Sequence, residues 1–182
     1  PQMVLDVYSS PGNHFALLEA GEVHFVFSPY QPSANSSQLR SLKLVSLDFV
    51  ILMSANNPLA KGELTMKKYI AASHGLISLT GRGGGMMEQH LIAQGHLAHG
   101  ARLHVPLRLG SFSSVARFCE RSDVLFHLPR RFAEELAQGR NLVVRDALPG
   151  MEMEHVNVFL YWHERYHKDA MCTWIREQLK AI

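Results

Sequence analysis

Short apolar runs alternate along the chain with stretches of helical spacing, and that alternation predicts most of its elements. Residues 3–8 (MVLDVY) and 23–27 (VHFVF) read as strands, with a helix over 11–20 between them that Gly21 stops. A polar loop at 33–37 precedes a long apolar run, 42–54, that reads as two strand segments. Asn56, Asn57 and Pro58 break the pattern. A short helix from Thr65 to residue 72, a strand over 75–79 and a glycine-rich loop at 81–85 come next. An amphipathic helix over 86–94 then ends at Gly95. Further strands are predicted over 103–107, 124–127, 142–144 and 155–162. Helices are predicted over 113–120, 129–138 and 169–180, the second with Pro129 in its first turn, where a missing N–H costs nothing.

Such alternation argues for parallel α/β sheets with helices on both faces. Two stretches, 47–53 and 148–156, read as crossovers: the first leaves the initial strand–helix–strand unit and the second returns to it. They divide the chain into a discontinuous lobe, 1–46 with 155–182, and an inserted lobe over 47–154. Two lobes joined by two crossing strands is the layout of periplasmic-binding-protein-like receptors.

Composition narrows the class. At 182 residues, 47% hydrophobic and 19% charged, the chain is ordinary globular protein. Lys and Arg number 18 against 16 Asp and Glu, too even a balance for nucleic-acid binding to be this chain's own task. Cys119 and Cys172 form no CxxC pair, so two buried thiols in a reducing compartment are expected. No signal peptide opens the sequence and no apolar run is long enough to span a membrane. The expected location is the cytoplasm.

Four constellations invite a chemical reading. His163-Glu164-Arg165-Tyr166-His167 matches HExxH, the zinc-peptidase pattern, which would make the chain a hydrolase. That chemistry needs a helix, to bring residues four apart onto one face. Here the motif directly follows a strand pattern, so a polar strand-to-helix connection is expected, with no metal and no catalytic residue. Thr80 and the loop Gly81, Arg82, Gly83 and Gly84 lie between a strand and a helix, lacking both the final glycine of GxGxxG and the Gly-Lys-Ser/Thr of a P-loop. Glycines still permit close backbone approach to a ligand, and the unpaired N–H groups that start a helix attract anions. Ser111, Phe112 and Ser113 make a second loop of this kind, where one serine is expected to cap the helix and Phe112 to cover an apolar ligand or join the core. His90, His96, His99 and His104 match no metal spacing, and these, with Glu88, Glu134 and Glu135, read as solvated surface.

Several segments together resemble one family. Asn57-Pro58-Leu59-Ala60-Lys61-Gly62 with Leu64, Thr65 and Tyr69 is similar to the HPLA…LT…Y stretch of LysR-type transcriptional regulators. Ser122-Asp123-Val124-Leu125-Phe126-His127-Leu128-Pro129-Arg130-Arg131-Phe132-Ala133 is similar to their SDLIATLPRRLA. Trp162-His163 with Trp174-Ile175-Arg176-Glu177 matches the WH…WLRE ending, and Leu17-Leu18-Glu19-Ala20-Gly21-Glu22-Val23 matches LLERGEVD. The order and spacing fit the subgroup of Nod-factor, naphthalene-degradation and leucine-operon regulators.

The resemblance implies an α/β effector-binding domain of two-lobed, periplasmic-binding-protein-like (type 2) fold, truncated at its N-terminal side. It implies no enzyme activity and no cofactor. A small organic effector, a carboxylate-bearing one among the candidates, would bind between the lobes. Family ligand contacts fall on Thr80 to Gly84, on Ser111 and Phe112, and on Ser28 at the end of the strand at Phe27. Gly84 and Ser111 stand where some aromatic-acid-responding members carry histidine, which speaks against salicylate-like recognition. The resemblance further implies a homodimer or tetramer using the helices at 12–20 and 86–94, and DNA contact only through a helix-turn-helix domain outside this chain. A solute-binding protein of a transporter shares the architecture and is the remaining alternative.

Overall fold

A computed structural model describes residues 3–7, 12–34, 36–78, 85–152 and 156–180. The chain divides into two units: Pro1–Leu47 with His155–Ile182, and Asp48–Glu154.

The smaller unit holds α1 (His14–Ala20), β1 (Val26–Ser28), β2 (Leu39–Leu47), β8 (Val156–His163) and α6 (Ala170–Lys180). Its sheet runs β1-β8-β2 and is antiparallel throughout; β1 and β2 each pair with β8 and not with each other. Leu18 of α1 packs on Val26 and Tyr161, with Phe15 meeting the Tyr161 ring edge-on at 5.0 Å. Gly21 ends α1 in a left-handed conformation (φ 79°) that a side chain rarely adopts, and its neighbour's N–H returns to Leu17 O.

The larger unit is built on a five-stranded mixed sheet, β5-β4-β6-β3-β7. Its strands are β3 (Phe49–Ser54), β4 (Ser73–Ile77), β5 (His104–Leu109), β6 (Leu125–Pro129) and β7 (Leu142–Asp146). Helices α2 (Met66–Ala71) and α3 (Met86–Ala93) cover one face, and α4 (Val115–Cys119) and α5 (Arg130–Ala137) the other. β3 is an unbroken apolar run because both its faces are covered. Val50 and Leu52 join Val115, Cys119 and Ala133 on one side, whereas Ile51 and Met53 join Tyr69, Leu91 and Met151 on the other. Gly75 of β4 leaves the space occupied by the Phe126 ring, which any Cβ there would enter.

The sheets are not the all-parallel ones that alternation predicts. β4 is parallel to β5 and β6, but β3 is antiparallel to both β6 and β7. Strand direction is set by pairing between distant segments, such as Val50 with Asp146, which local spacing does not encode. The strand expected over 3–8 is a second departure. Residues 3–7 have no regular structure, and Val4 and Val7 are 83% and 79% exposed. Their β propensity has no ladder partner among the described residues.

Candidate functional site

The Ser111 turn joins β5 to α4 in the larger unit. Ser111 is extended (φ −148°, ψ 141°) and caps a 3-10 turn, Phe112–Ser114, that runs directly into α4. Its Oγ accepts from the Ser113 N–H at 3.2 Å and lies 2.7 Å from the Ser113 hydroxyl. Both serines are exposed; Phe112 is half-buried, edge-on to Phe132 at 5.1 Å. The two hydroxyls pair with each other rather than with a base, so the turn offers neutral polar contacts beside an aromatic edge. Ser28 ends β1 in the smaller unit; it is buried, and its Oγ accepts from the Tyr30 N–H at 3.1 Å. Thr80, Gly81, Arg82, Gly83 and Gly84 lie outside the described residues.

The HExxH segment is a connection in which His163, Glu164, Arg165 and His167 each have a structural partner. His163 is the last residue of β8, and Glu164–Tyr166 is a 3-10 turn, not an α-helix. At three residues per turn, positions four apart do not share a face. His163 Nδ1 accepts from the Arg165 N–H at 3.1 Å, and Glu164 is ion-paired with Arg40. That arginine holds the Glu164 carboxyl below the usual carboxylate range. Arg165 donates to Glu19 O at 2.8 Å, capping the carboxyl end of α1. His167 Nδ1 accepts from the Trp162 indole N–H at 3.3 Å. No group of three His, Cys, Asp or Glu able to hold a metal occurs among the described residues.

Other surface expectations are corrected. Glu88 is not solvated: it is buried, with Arg102 Nη1 at 2.6 Å and the Leu103 N–H at 3.0 Å. A buried carboxylate needs such partners. Among the four clustered histidines, His96, His99 and His104 are exposed, but the His90 Nε2 is buried without a partner. Both cysteines are buried, and burial raises the Cys119 thiol to about 12 and that of Cys172 to about 11.

Sequence reasoning missed one cluster. In the smaller unit Arg176 of α6 is only 6% exposed, with its guanidinium over the Trp162 ring, 4.8 Å from the centroid. It donates to Tyr166 O (3.3 Å), His167 O (2.6 Å) and Thr173 Oγ1 (2.8 Å). Trp162, His167, Thr173 and Arg176 line a pocket of about 540 Å³ with Lys168, Glu177 and Lys180. The available signal was an arginine on the buried stripe of α6, which otherwise carries Cys172 and Ile175.

The family model for the LysR substrate binding domain matches residues 1–182. The chain belongs to this family. Among its relatives, the HTH-type transcriptional activator NahR of Pseudomonas putida is 26% identical over 136 residues, 74% of this chain and 43% of NahR. The HTH-type transcriptional regulator SyrM of Rhizobium meliloti strain 1021 is 27% identical over 180 residues, 97% of this chain and 52% of SyrM. This LysR-type domain therefore spans about half the length of the curated relatives it matches. Both fit the Nod-factor and naphthalene-degradation subgroup, and both are named as transcriptional regulators rather than hydrolases or transport receptors.

Its fold is that of solved regulatory domains. That of MexT, a transcriptional activator in Pseudomonas aeruginosa, matches with a TM-score of 0.74 at 21% identity, over 91% of this chain and 76% of that one. The effector-binding domain of QuiR, solved in complex with shikimate, matches at 0.70 and 13%, over 94% and 78%. The periplasmic-binding-protein-like fold is thus shared.

Proposed function

We propose that this LysR-type domain is the effector sensor of a transcriptional regulator, taking up a small organic molecule of the carboxylate-bearing kind. The family match over residues 1–182 carries this reading. Ser111, Phe112 and Ser113 are its effector contacts in the larger unit, with Thr80, Gly81, Arg82, Gly83 and Gly84 as companions and Ser28 as the contact in the smaller one. The exposed, mutually bonded hydroxyls of Ser111 and Ser113 beside the Phe112 ring support that choice. The effector acts by population shift: it moves the regulator only by its differential affinity for two arrangements, about 1.4 kcal/mol for each tenfold preference. The regulator is a homodimer or tetramer assembled through α1 and α3, works in the cytoplasm, and reaches DNA through a helix-turn-helix domain outside this chain. No helix among the described residues is long and apolar enough to cross a membrane.

Thermal-shift and calorimetric screening of small organic acids on the full-length regulator tests the reading. A ligand should raise the melting temperature, and Phe112→Ala or Ser111→Ala should weaken binding at least tenfold. If no acid or metabolite shifts melting, and Thr80, Ser111 and Phe112 substitutions leave regulation intact, the proposal fails.

A further inference from the structure

The Arg176 pocket lies wholly within the smaller unit, on a different element set from the Ser111 turn. Thr173, Arg176, Glu177 and Lys180 fall three and four residues apart on α6, so they share one helical face. Glu177 and Lys180 neutralise each other in an ion pair at 2.7 Å. Arg176 has no carboxylate within ion-pair distance among the described residues, and neither has Lys168, whose charge acts on the Glu164 carboxyl from further off. The protein acceptors of Arg176 are two backbone carbonyls and a hydroxyl, all formally neutral. Arg176, only 6% exposed as a residue and with no ion pair among the described residues, brings its charge to the pocket lining without a carboxylate partner. Lys168, exposed at the rim, adds a second cation. Leu42 and Trp162 supply an apolar wall.

We infer that this pocket is an oxyanion site, in which Arg176 and Lys168 hold the phosphate or carboxylate group of a small ligand beside the Trp162 indole. The Arg176 bonds to Tyr166 and His167 carbonyls fix the guanidinium plane in advance, which limits the entropy lost when an anion docks. Its Nε–H and one Nη1–H have no protein acceptor among the described residues, and a carboxylate or phosphate oxygen can accept from either. The site is separate from the proposed effector contacts, so its failure would leave that reading untouched.

The test uses the two indole N–H resonances of the chain, from Trp162 and Trp174, in proton–nitrogen correlation spectra. The exposed Trp174 is removed by Trp174→Phe to assign them. Inorganic phosphate, and separately acetate and citrate, are titrated at constant ionic strength. The expected result is a saturable shift of the Trp162 resonance with at least one of the three anions, weakened at least tenfold by Lys168→Glu and unchanged by Lys67→Glu on α2. Saturation by phosphate alone assigns a phosphate ligand, and saturation by the carboxylates alone assigns a carboxylate. Lys168 is exposed, so its variant reports on binding rather than folding. A non-saturable drift reproduced by sodium chloride, or equal saturation in Lys168→Glu, overturns the site.

Discussion

Acid should destabilise the larger unit through the His127 imidazole. His127 is the third residue of β6, between Phe126 and Leu128, which face the α4–α5 side, so its side chain lies toward α2 and α3. Its ring stacks on Phe49 at 5.2 Å and 21°, and its Nε2 is buried with no partner. Burial, reinforced by neighbouring His74 and His90 and partly offset by Asp48, pushes the imidazole down from 6.5 to about 4. In the unfolded chain the group binds its proton near pH 6.5, whereas in the folded one it does so only near pH 4. The unfolded state therefore holds more protons between these values. Stability is complete above about pH 6.5 and falls as the pH drops toward 4. Between pH 7.5 and pH 5 that linkage removes about 2 kcal/mol. Urea denaturation followed by circular dichroism at half-unit pH intervals measures it, comparing the native chain with His127→Phe, which keeps the ring stack and removes the titration. The native curve should fall relative to the variant by this amount. Parallel profiles across the window would refute the reasoning.

Three further expectations are accessible to the same methods. Gly75→Ala places a methyl group in the Phe126 ring space and should destabilise by about 1–3 kcal/mol in urea, with Gly139→Ala, whose side chain meets open space but whose φ is positive, as the comparison for backbone strain alone. Arg165→Ala removes the cap on Glu19 O and should cost about 1 kcal/mol, visible first as faster amide exchange across α1; unchanged exchange there would remove Arg165 from that role. Dialysis against a chelator should leave the melting temperature unmoved, because His163 and His167 are engaged by Arg165 and Trp162; a fall of several degrees would restore the metal reading.

Local chemistry made much of this fold legible. Thr65 predicted a helix start, and its hydroxyl accepts from the Lys68 N–H at 3.3 Å. Ser111 and Gly21 likewise sit at the cap and stop their side chains predict. The apolar run over 42–54 reads as two strand segments, and β2 and β3 divide it. What escaped was non-local. Glu88 and His90 occur in a sequence that looks solvated, and only the docking of the segment around Arg102 and Leu103 removes Glu88 from water. Arg176 looked like part of a family ending, and its contact with Trp162 joins positions 14 residues apart through the turn after β8. The Ser111 turn was legible as a capped helix start; a ligand is chemistry that caps do not specify.

The central position of β8 has a consequence for how the chain is made. Among the described residues β1 and β2 meet no strand but β8, whose first residue follows the whole of the larger unit. As the polypeptide leaves the ribosome, the larger unit has all its strands before β8 exists. The first two strands must therefore wait for that partner through the synthesis of more than a hundred residues. β2 is nine residues long and alternates in character, and throughout that interval the edge that meets β8 is uncovered. Newborn chains are most vulnerable to aggregation or chaperone capture in that window, and arrest of translation before position 156 should yield a folded larger unit trailing a sticky, protease-sensitive leader.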